Sequence, residues 1–341
     1  MTTKTTTADK KHFSIMPFDT TSYSYAPALD YVGLQFNDPF NCYEPPINRF
    51  ALAQLPSQNA QHCGILHSRA NMISSDYDQG GLSKMDMRAL ALNLIMFGDA
   101  AVLKVRNLLG KVVRLVPLSS LYLRVCRDGS YKYLMRKSLT DMTSDKVFEY
   151  APEDVIMLKL YDPLQQIYGT PDYIGGIQSA LLNSDATVFR RRYFANGAHM
   201  GFILYSTDPD MTEEMEDEIA ESIANAKGVG NFKSMFVNIA GGHPDGLKVI
   251  PIGDTGTKDE FGTIKNISAQ DILTAHRYPA GLAGVISQSG SFGDPLKIRE
   301  AYRQDEVIPM QELICDAINN DVDIQANKAL KLNFTARQIA L

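Results

Sequence analysis

Residues 170–197 read TPDYIGGIQSALLNSDATVFRRRYFANG. Thr170 can cap a helix, Pro171 suits a first turn because the N–H it lacks would be unpaired there anyway, and Asp172 falls near the positive end of the dipole. Ile174, Ile177, Leu181 and Val188 share one face. Arg190, Arg191 and Arg192 occupy the last turns, and Asn196-Gly197 supplies a left-handed stop. The spacing predicts one helix from Pro171 to Ala195, roughly 37 Å long at about 1.5 Å per residue. That is longer than the usual core helix. A second amphipathic helix is predicted over about 258–277, carrying Phe261, Ile264, Ile272 and Leu273 and stopped by Pro279. Between the two lies a β-α-β-β pattern. It begins with a strand over 201–206. Asp210 and Glu213 form a capping-box pattern opening a helix with Met215, Ile219 and Ile223 on one face, closed by Gly228. Two strands follow, over 234–240 and 247–252. Two long helices bracketing a small insertion form a stalk, and copies of the chain are the natural cover for its sides.

On the N-terminal side, residues 1–26 are rich in Thr, Ser and Lys and read as a mobile arm, either plain disorder or a docking or processing segment. Prolines among aromatics from Pro27 to Asn48 suggest an extended segment laid over a surface. Leu82, Met85, Ala89, Leu92 and Met96 recur at helical spacing up to Gly98. Strands are predicted over 101–106 and 111–116, over 121–127 and 131–136 around Asp128-Gly129, and over 147–150 and 155–160. At Asp128-Gly129 both turn positions favour positive φ. Residues 27–165 therefore read as one α+β unit. On the C-terminal side, 281–293 is a Gly/Ser loop. Asp294-Pro295 then caps a helix with Ile298, Ala301 and Tyr302 on its face, interrupted at Pro309 and resumed through Leu313, Ile314 and Ile318.

The chain has 341 residues, 45% apolar and 21% charged, with 33 basic and 39 acidic side chains giving −6. This is ordinary globular composition for two or three packed units. A protein gripping nucleic acid along its whole surface needs the opposite sign, so any DNA contact should be local or made to slip. Cys42, Cys63, Cys126 and Cys315 show no C-x-x-C and read as reduced and structural. The start has no apolar h-region, and the oily stretch at 89–97 is far short of the roughly 20 residues of a membrane span. We expect a soluble chain made in a cytoplasm, with no membrane contact.

Several motifs invite chemistry and fail on context. Gly228-Val229-Gly230-Asn231-Phe232-Lys233-Ser234 follows a helix end and lacks the Gly-Lys pair of a phosphate loop. Ser289-Gly290-Ser291-Phe292-Gly293 is not a nucleophile elbow. His62-Cys63 with His67 has no second pair of zinc ligands, and Asp208-Pro209-Asp210 lacks the rest of a calcium loop. The expectation is no catalytic residues, no cofactor and no metal. Arg190, Arg191 and Arg192 read as subunit contacts facing opposite charge, the alternative being a simple dipole-favoured helix end. The acidic run Glu213, Glu214, Glu216, Asp217, Glu218 and Glu221 reads as a solvated face, a docking surface or a repulsive lining.

Particular stretches carry a resemblance: Ile167-Tyr168-Gly169-Thr170-Pro171-Asp172-Tyr173, Ala180-Leu181-Leu182-Asn183, Phe189-Arg190-Arg191-Arg192-Tyr193-Phe194, Asn196-Gly197-Ala198-His199 and Gly201-Phe202-Ile203-Leu204-Tyr205. With Lys227–Lys233 and Ala275-His276-Arg277-Tyr278-Pro279, they make the chain resemble the phage portal proteins of the PBSX type, over most of residues 30–320 and most densely over 165–280. The resemblance implies an α+β portal fold assembled as a ring, typically of twelve subunits. Residues 27–169 would be the wing, joined by the C-terminal helices of 294–341. Residues 170–199 and 254–279 would be the two stem helices, 200–253 the clip and 280–293 the tunnel loop. A large helical crown is not expected, since the sequence stops at Leu341. The implied partners are further copies of itself, terminase, major capsid and scaffold proteins, head-completion or neck proteins, and double-stranded DNA in the channel. Gln288, Ser289, Gly290, Ser291 and Phe292 would brush the duplex, Lys297 and Arg299 would meet its phosphates, and the acidic run would be the clip's docking face. Localisation would be the virion, at the portal vertex, after assembly in the host cytoplasm. A different head–tail connector or neck ring, or a DNA-translocating ATPase, are the alternatives.

Overall fold

The computed structural model describes residues 29–135, 146–195, 202–206, 212, 214–215, 217–218, 235–238, 247–251, 257–283 and 294–335. The arm, the glycine-rich 228–234 stretch and residues 284–293 lie outside them. The chain divides into two compact units, one of residues 24–183 with 267–341, and a smaller one built around 184–266.

In chain order the elements are β1 (Gln35–Asn37), β2 (Cys42–Glu44), α1 (Arg49–Gln58), α2 (Ala60–Ser75), β3 (Tyr77–Gln79), α3 (Lys84–Phe97), β4 (Asp99–Arg106), β5 (Val112–Leu118), β6 (Leu123–Cys126), β7 (Tyr131–Met135), β8 (Lys146–Tyr150) and β9 (Val155–Lys159). They continue with α4 (Ile177–Ala195), β10 (Phe202–Ser206), β11 (Met235–Asn238), β12 (Leu247–Pro251), α5 (Thr257–Ala275), α6 (Ala280–Ala283) and α7 (Pro295–Tyr302). A π-helical turn (Arg303–Val307), α8 (Ile308–Asn319), α9 (Val322–Ala326) and β13 (Asn333–Phe334) complete the described chain.

In the larger unit, α3 illustrates the local logic. Ser83 and Asp86 close a reciprocal capping box at its start, and Gly98 ends it at φ +82°. A cap of this kind is worth about 1 kcal/mol. Met87, Leu90, Ala91, Leu94 and Ile95 are fully buried on its inner face. They join Leu66 and Ile73 of α2, Val102 and Leu115 of the sheet, and Ile314 and Ile318 of α8 in one core. Two antiparallel sheets complete the unit, in the orders β5-β4-β9 and β1-β2-β6-β7-β8, with β3 and β13 as a short separate pair.

Several expectations need correction. Residues 35–44 are not a plain extended segment but the β1–β2 hairpin, turned through Asn41 in left-handed geometry at φ 50°. The Asp128-Gly129 hairpin forms, yet only Gly129 has positive φ, +85°. Gly129 N–H donates to Cys126 O and Cys126 N–H to Ser130 O, the three-residue turn with a left-handed glycine that is also built at 107–110. The long helix begins at Ile177, after a short 3-10 turn, so its 19 residues span about 28 Å. Thr170 is not its cap, because its hydroxyl donates to Asp162 at 2.5 Å. Pro309 does not interrupt a helix. It sits in the first turn of α8, and the π turn before it carries Ile308 N–H back to Arg303 O.

In the smaller unit the three strands form one sheet, with β10 central, parallel to β11 and antiparallel to β12. Residues 214, 215, 217 and 218 are helical, and Thr212 Oγ1 accepts from Met215 N–H at 3.3 Å. The proposed cap residues Asp210 and Glu213 lie outside the described residues. No helix among the described residues is long and apolar enough to cross a membrane.

Candidate nucleic-acid segment and its anchor

The segment 284–293 is bracketed by α6 and α7, and the end of α5 leads into it. How that end is fixed decides what the segment is mounted on. α5 finishes with Arg277 in left-handed geometry at φ 50°. Tyr278 N–H donates to Leu273 O and Arg277 N–H to Thr274 O, the double bond of a Schellman stop in the position glycine usually fills. The cation is held there from two sides. Its Nε donates to Glu306 Oε1 at 2.7 Å and its Nη2 to Asp172 Oδ2 at 2.8 Å.

Asp172 is the hub. The buried Arg69 of α2 grips it with both arms, Nη1 to Oδ1 at 3.0 Å and Nη2 to Oδ2 at 2.6 Å. Burial alone would lower Arg69's pKa, but hydrogen bonding to the Asp172 carboxylate more than reverses this and holds it raised. Asp172 was expected to serve a helix dipole; it serves two guanidiniums. Arg69 Nη1 also reaches His276 Nδ1 at 3.2 Å, and His276 Nε2 reaches His62 Nδ1 at 2.9 Å. Since a guanidinium can only donate, His276 carries its proton on Nε2 and gives it to His62, which must carry its own on Nε2. That last atom is buried without a partner among the described residues. Tyr173 stacks on His276 at 4.8 Å and meets His62 edge-on at 4.7 Å. Elsewhere Tyr278 and Ser68 hydroxyls lie 2.6 Å apart, and Asn183 Nδ2 donates to Ser268 Oγ at 2.9 Å. The approach to α4 with its first turns, and the last turns of α5, are thereby fastened to α2 and to one another.

Neither histidine can accept a proton cheaply. Burial, then Arg69, pushes His62 down to about 4. Burial, then His62 and the two arginines, pushes His276 to about 2. Both are neutral when folded and titrate normally near 6.5 when unfolded, so between those values the unfolded chain binds more protons. Stability is therefore fully present above pH 6.5 and falls as the pH drops toward 4. The expected loss in urea unfolding from His62 alone is of the order of 3 kcal/mol, and His62→Gln, which keeps the acceptor for His276, should flatten the slope in that window.

α7 starts with Asp294 accepting from Leu296 N–H at 2.9 Å. Lys297 and Arg299 are exposed on it, and only Tyr302 is buried. Arg299 borders a cleft against α2 with Met72, Ser75, Glu300 and Arg303. Gln288, Ser289, Gly290, Ser291 and Phe292 lie outside the described residues. So do Glu213, Glu216 and Glu221 and the Arg192 side chain. Arg190 and Arg191, like Glu214, Asp217 and Glu218, are exposed in the smaller unit. His62 is a core residue, held between His276 and Tyr173, and no group of three potential metal ligands occurs among the described residues. Sequence reasoning missed the Arg69–Asp172–Arg277 joint. Two of its contributing stretches, around 167–173 and 275–279, stood out only as motifs, and the fold brings them together on α2.

The family described as "Phage portal protein" matches residues 82–340. A "Probable portal protein" of Haemophilus phage HP1 (strain HP1c1) is 65% identical, the alignment covering 100% of both chains. The "Probable portal protein" of Escherichia phage P2 is 35% identical over 84% of this chain and 81% of that one. Among solved structures, a chain from the "Neck of native GTA particle computed with C12 symmetry" has the same fold, with TM-score 0.61 over 94% of this chain and 91% of that chain at 15% identity.

Proposed function

The chain belongs to the phage portal protein family, and on that premise we propose that its copies close into a twelve-membered ring around a DNA channel at one vertex of a phage capsid. The observation that carries the reading is the 65% identity to a probable portal protein along the whole chain. The twelvefold symmetry named for the neck of similar fold supports the subunit number. In this reading the ring is seated among major capsid and scaffold proteins, docks terminase during packaging and head-completion or neck proteins afterwards, and passes double-stranded DNA at ejection. The chain is a conduit and platform rather than an enzyme, with ATP hydrolysis left to terminase.

Residues 27–169 with 294–341 act as wing, 170–199 and 254–279 as stem, 200–253 as clip and 280–293 as tunnel loop. The acidic run from Glu213 to Glu221 serves as docking face, and Arg190 to Arg192 meet the neighbouring subunit. A net charge of −6 per copy suits a passage that must not hold DNA tightly. Electron-microscope top views of the purified chain, with a mass measurement on the same sample, test this. Rings with a central hole and about twelvefold symmetry are the expected result, since a closed heterologous interface makes a ring. A compact dimer with bound nucleotide overturns it.

Lys297 and Arg299 flank the tunnel loop and are the phosphate contacts in this reading. The double change Lys297→Ala, Arg299→Ala should leave ring formation intact while reducing retained or packaged DNA. Each lost cation should lower the salt dependence of DNA contact by about one phosphate. Unchanged packaged length counts against their role.

A further inference from the structure

We propose that Cys42 and Cys126 form a redox-closable pair: two thiols in a reducing medium, and in an oxidising one a disulfide that staples β2 to β6. The register places the two residues directly opposite each other across antiparallel strands. Cys126 N–H donates to Ser130 O at 2.8 Å, within its own hairpin. The two cysteines are therefore not a mutually hydrogen-bonded rung. The next rung, Tyr43 opposite Val125, is bridged rather than direct, because the Tyr168 hydroxyl accepts from Val125 N–H at 2.9 Å and donates to Tyr43 O at 2.5 Å. Opposed residues in a non-hydrogen-bonded rung have Cα atoms about 4.5 Å apart and side chains on the same face. The hydroxyl inserted at the next rung widens the seam from that ideal, and the roughly 4.4–6.8 Å that disulfides span leaves room for it. Both side chains are buried in a small cluster with Leu134, packed by Phe40 and separate from the main core. Both are free thiols.

The same observations explain why the pair would stay open in a cell and close slowly outside one. Burial, then Glu44, pushes the Cys42 thiol up to about 11, so little thiolate exists at neutral pH. Access depends on opening the β2–β6 seam, which has two register pairs. A small-molecule disulfide is the oxidant. One cysteine thiolate attacks a sulfur of that disulfide and expels a small thiolate, leaving a mixed disulfide on the protein. The second cysteine thiolate attacks the protein sulfur of that bond and expels the other small thiolate. The two cysteines lose two electrons, the oxidant gains them, and the two protons leave on the released thiols. Only the biological timing rests on the portal reading: a particle leaving a reducing cytoplasm meets oxidising surroundings.

The test uses the purified full chain, incubated with oxidised glutathione in mildly alkaline buffer without denaturant, alkylated and digested with trypsin. Peptides 12–49 and 125–127 should appear joined, the link should vanish with dithiothreitol, and the linked chain should melt several degrees higher until it is reduced. Cys63 and Cys315 serve as internal controls that should not join each other. Cys42→Ala should abolish both the link and the response of the melting point. If that variant does not fold, the peptide map of the unaltered chain decides alone. Glutathione adducts at both positions in place of the link, or a link formed only in urea, overturns the inference. Rings without the link overturn this inference and leave the portal reading standing; the link in a compact dimer with bound nucleotide does the reverse.

Discussion

Arg49→Met is expected to cost about 3–5 kcal/mol of unfolding free energy, because it strands a buried carboxylate. Arg49 and Asp99 are paired with side-chain exposures of 2% and 0%. The guanidinium also donates to Ser120 O and lies 4.8 Å from the centre of the Tyr168 ring. Asp99 Oδ2 accepts in addition from Gly169 N–H at 3.3 Å, while Oδ1 is buried with no partner among the described residues. With the arginine gone, the desolvated carboxylate loses its paired cation and keeps the longer bond from Gly169 N–H. The pair as a whole need not be strongly stabilising, since an ion pair of good geometry roughly offsets its own desolvation. The double variant Arg49→Met, Asp99→Leu should therefore recover much of the loss. Urea titration of the two chains checks this, and equal losses in both would place the effect elsewhere than in the unpaired charge.

Gly169→Ala should be as damaging, for a reason of space. A Cβ built there would stand 1.9 Å from Gly98 O and 2.6 Å from Gly98 C, so one of two backbones must move. The converse is also tight, since a Cβ on Gly98 would stand 2.3 Å from Thr170 C, at a φ of +82° that disfavours any side chain. Gly98 O cannot simply swing aside, because it accepts from Leu160 N–H at 2.7 Å. We expect a loss above about 4 kcal/mol, or failure to accumulate folded chain. Gly110→Ala is the matched control. Its φ is +77° but nothing stands within 4 Å of its Cβ position. It should lose only the conformational cost of about 1–2 kcal/mol. Similar melting points for the two variants would show that contact at Gly169 is not the cause.

The sequence revealed most where apolar spacing was clean. The hairpins around Gly110 and Gly129 and the strands of the smaller unit follow from periodicity and turn residues. α3 forms where apolar spacing predicts it, but it buries Met87, Leu90, Ala91, Leu94 and Ile95 rather than the Met85, Ala89, Leu92 and Met96 stripe, and Met85 is exposed. α1 and α2 escaped notice because their buried faces carry Arg49, His62 and Arg69, which break the apolar pattern that marks a helix. Their starts were nevertheless written in the chain: the Asn48 and Asn59 side chains accept from Phe50 and Ala51 N–H and from His62 N–H. The false start of the long helix has a related cause. Thr170, Pro171 and Asp172 satisfy every local rule for a cap, but Thr170 turns to Asp162 and Asp172 to two distant arginines. Tertiary partners won over local propensity. The joint joins positions more than 100 residues apart, a pairing that no local pattern encodes.

The π turn before Pro309 has a further consequence, one of phase. A wider turn holds one residue more than α-geometry would, and each residue advances a helix face by about 100°. Because the wider turn advances less per residue, it absorbs that extra residue, and α7 and α8 keep the phase of one continuous rod. α8 aims Met310, Ile314 and Ile318 at the core, and α7 aims Lys297 and Arg299 at solvent. Removing a single residue from 303–307 would close the turn to α-geometry and leave the cations facing the same way. The direction in which they face is buffered against a change of count, one turn away from where they sit.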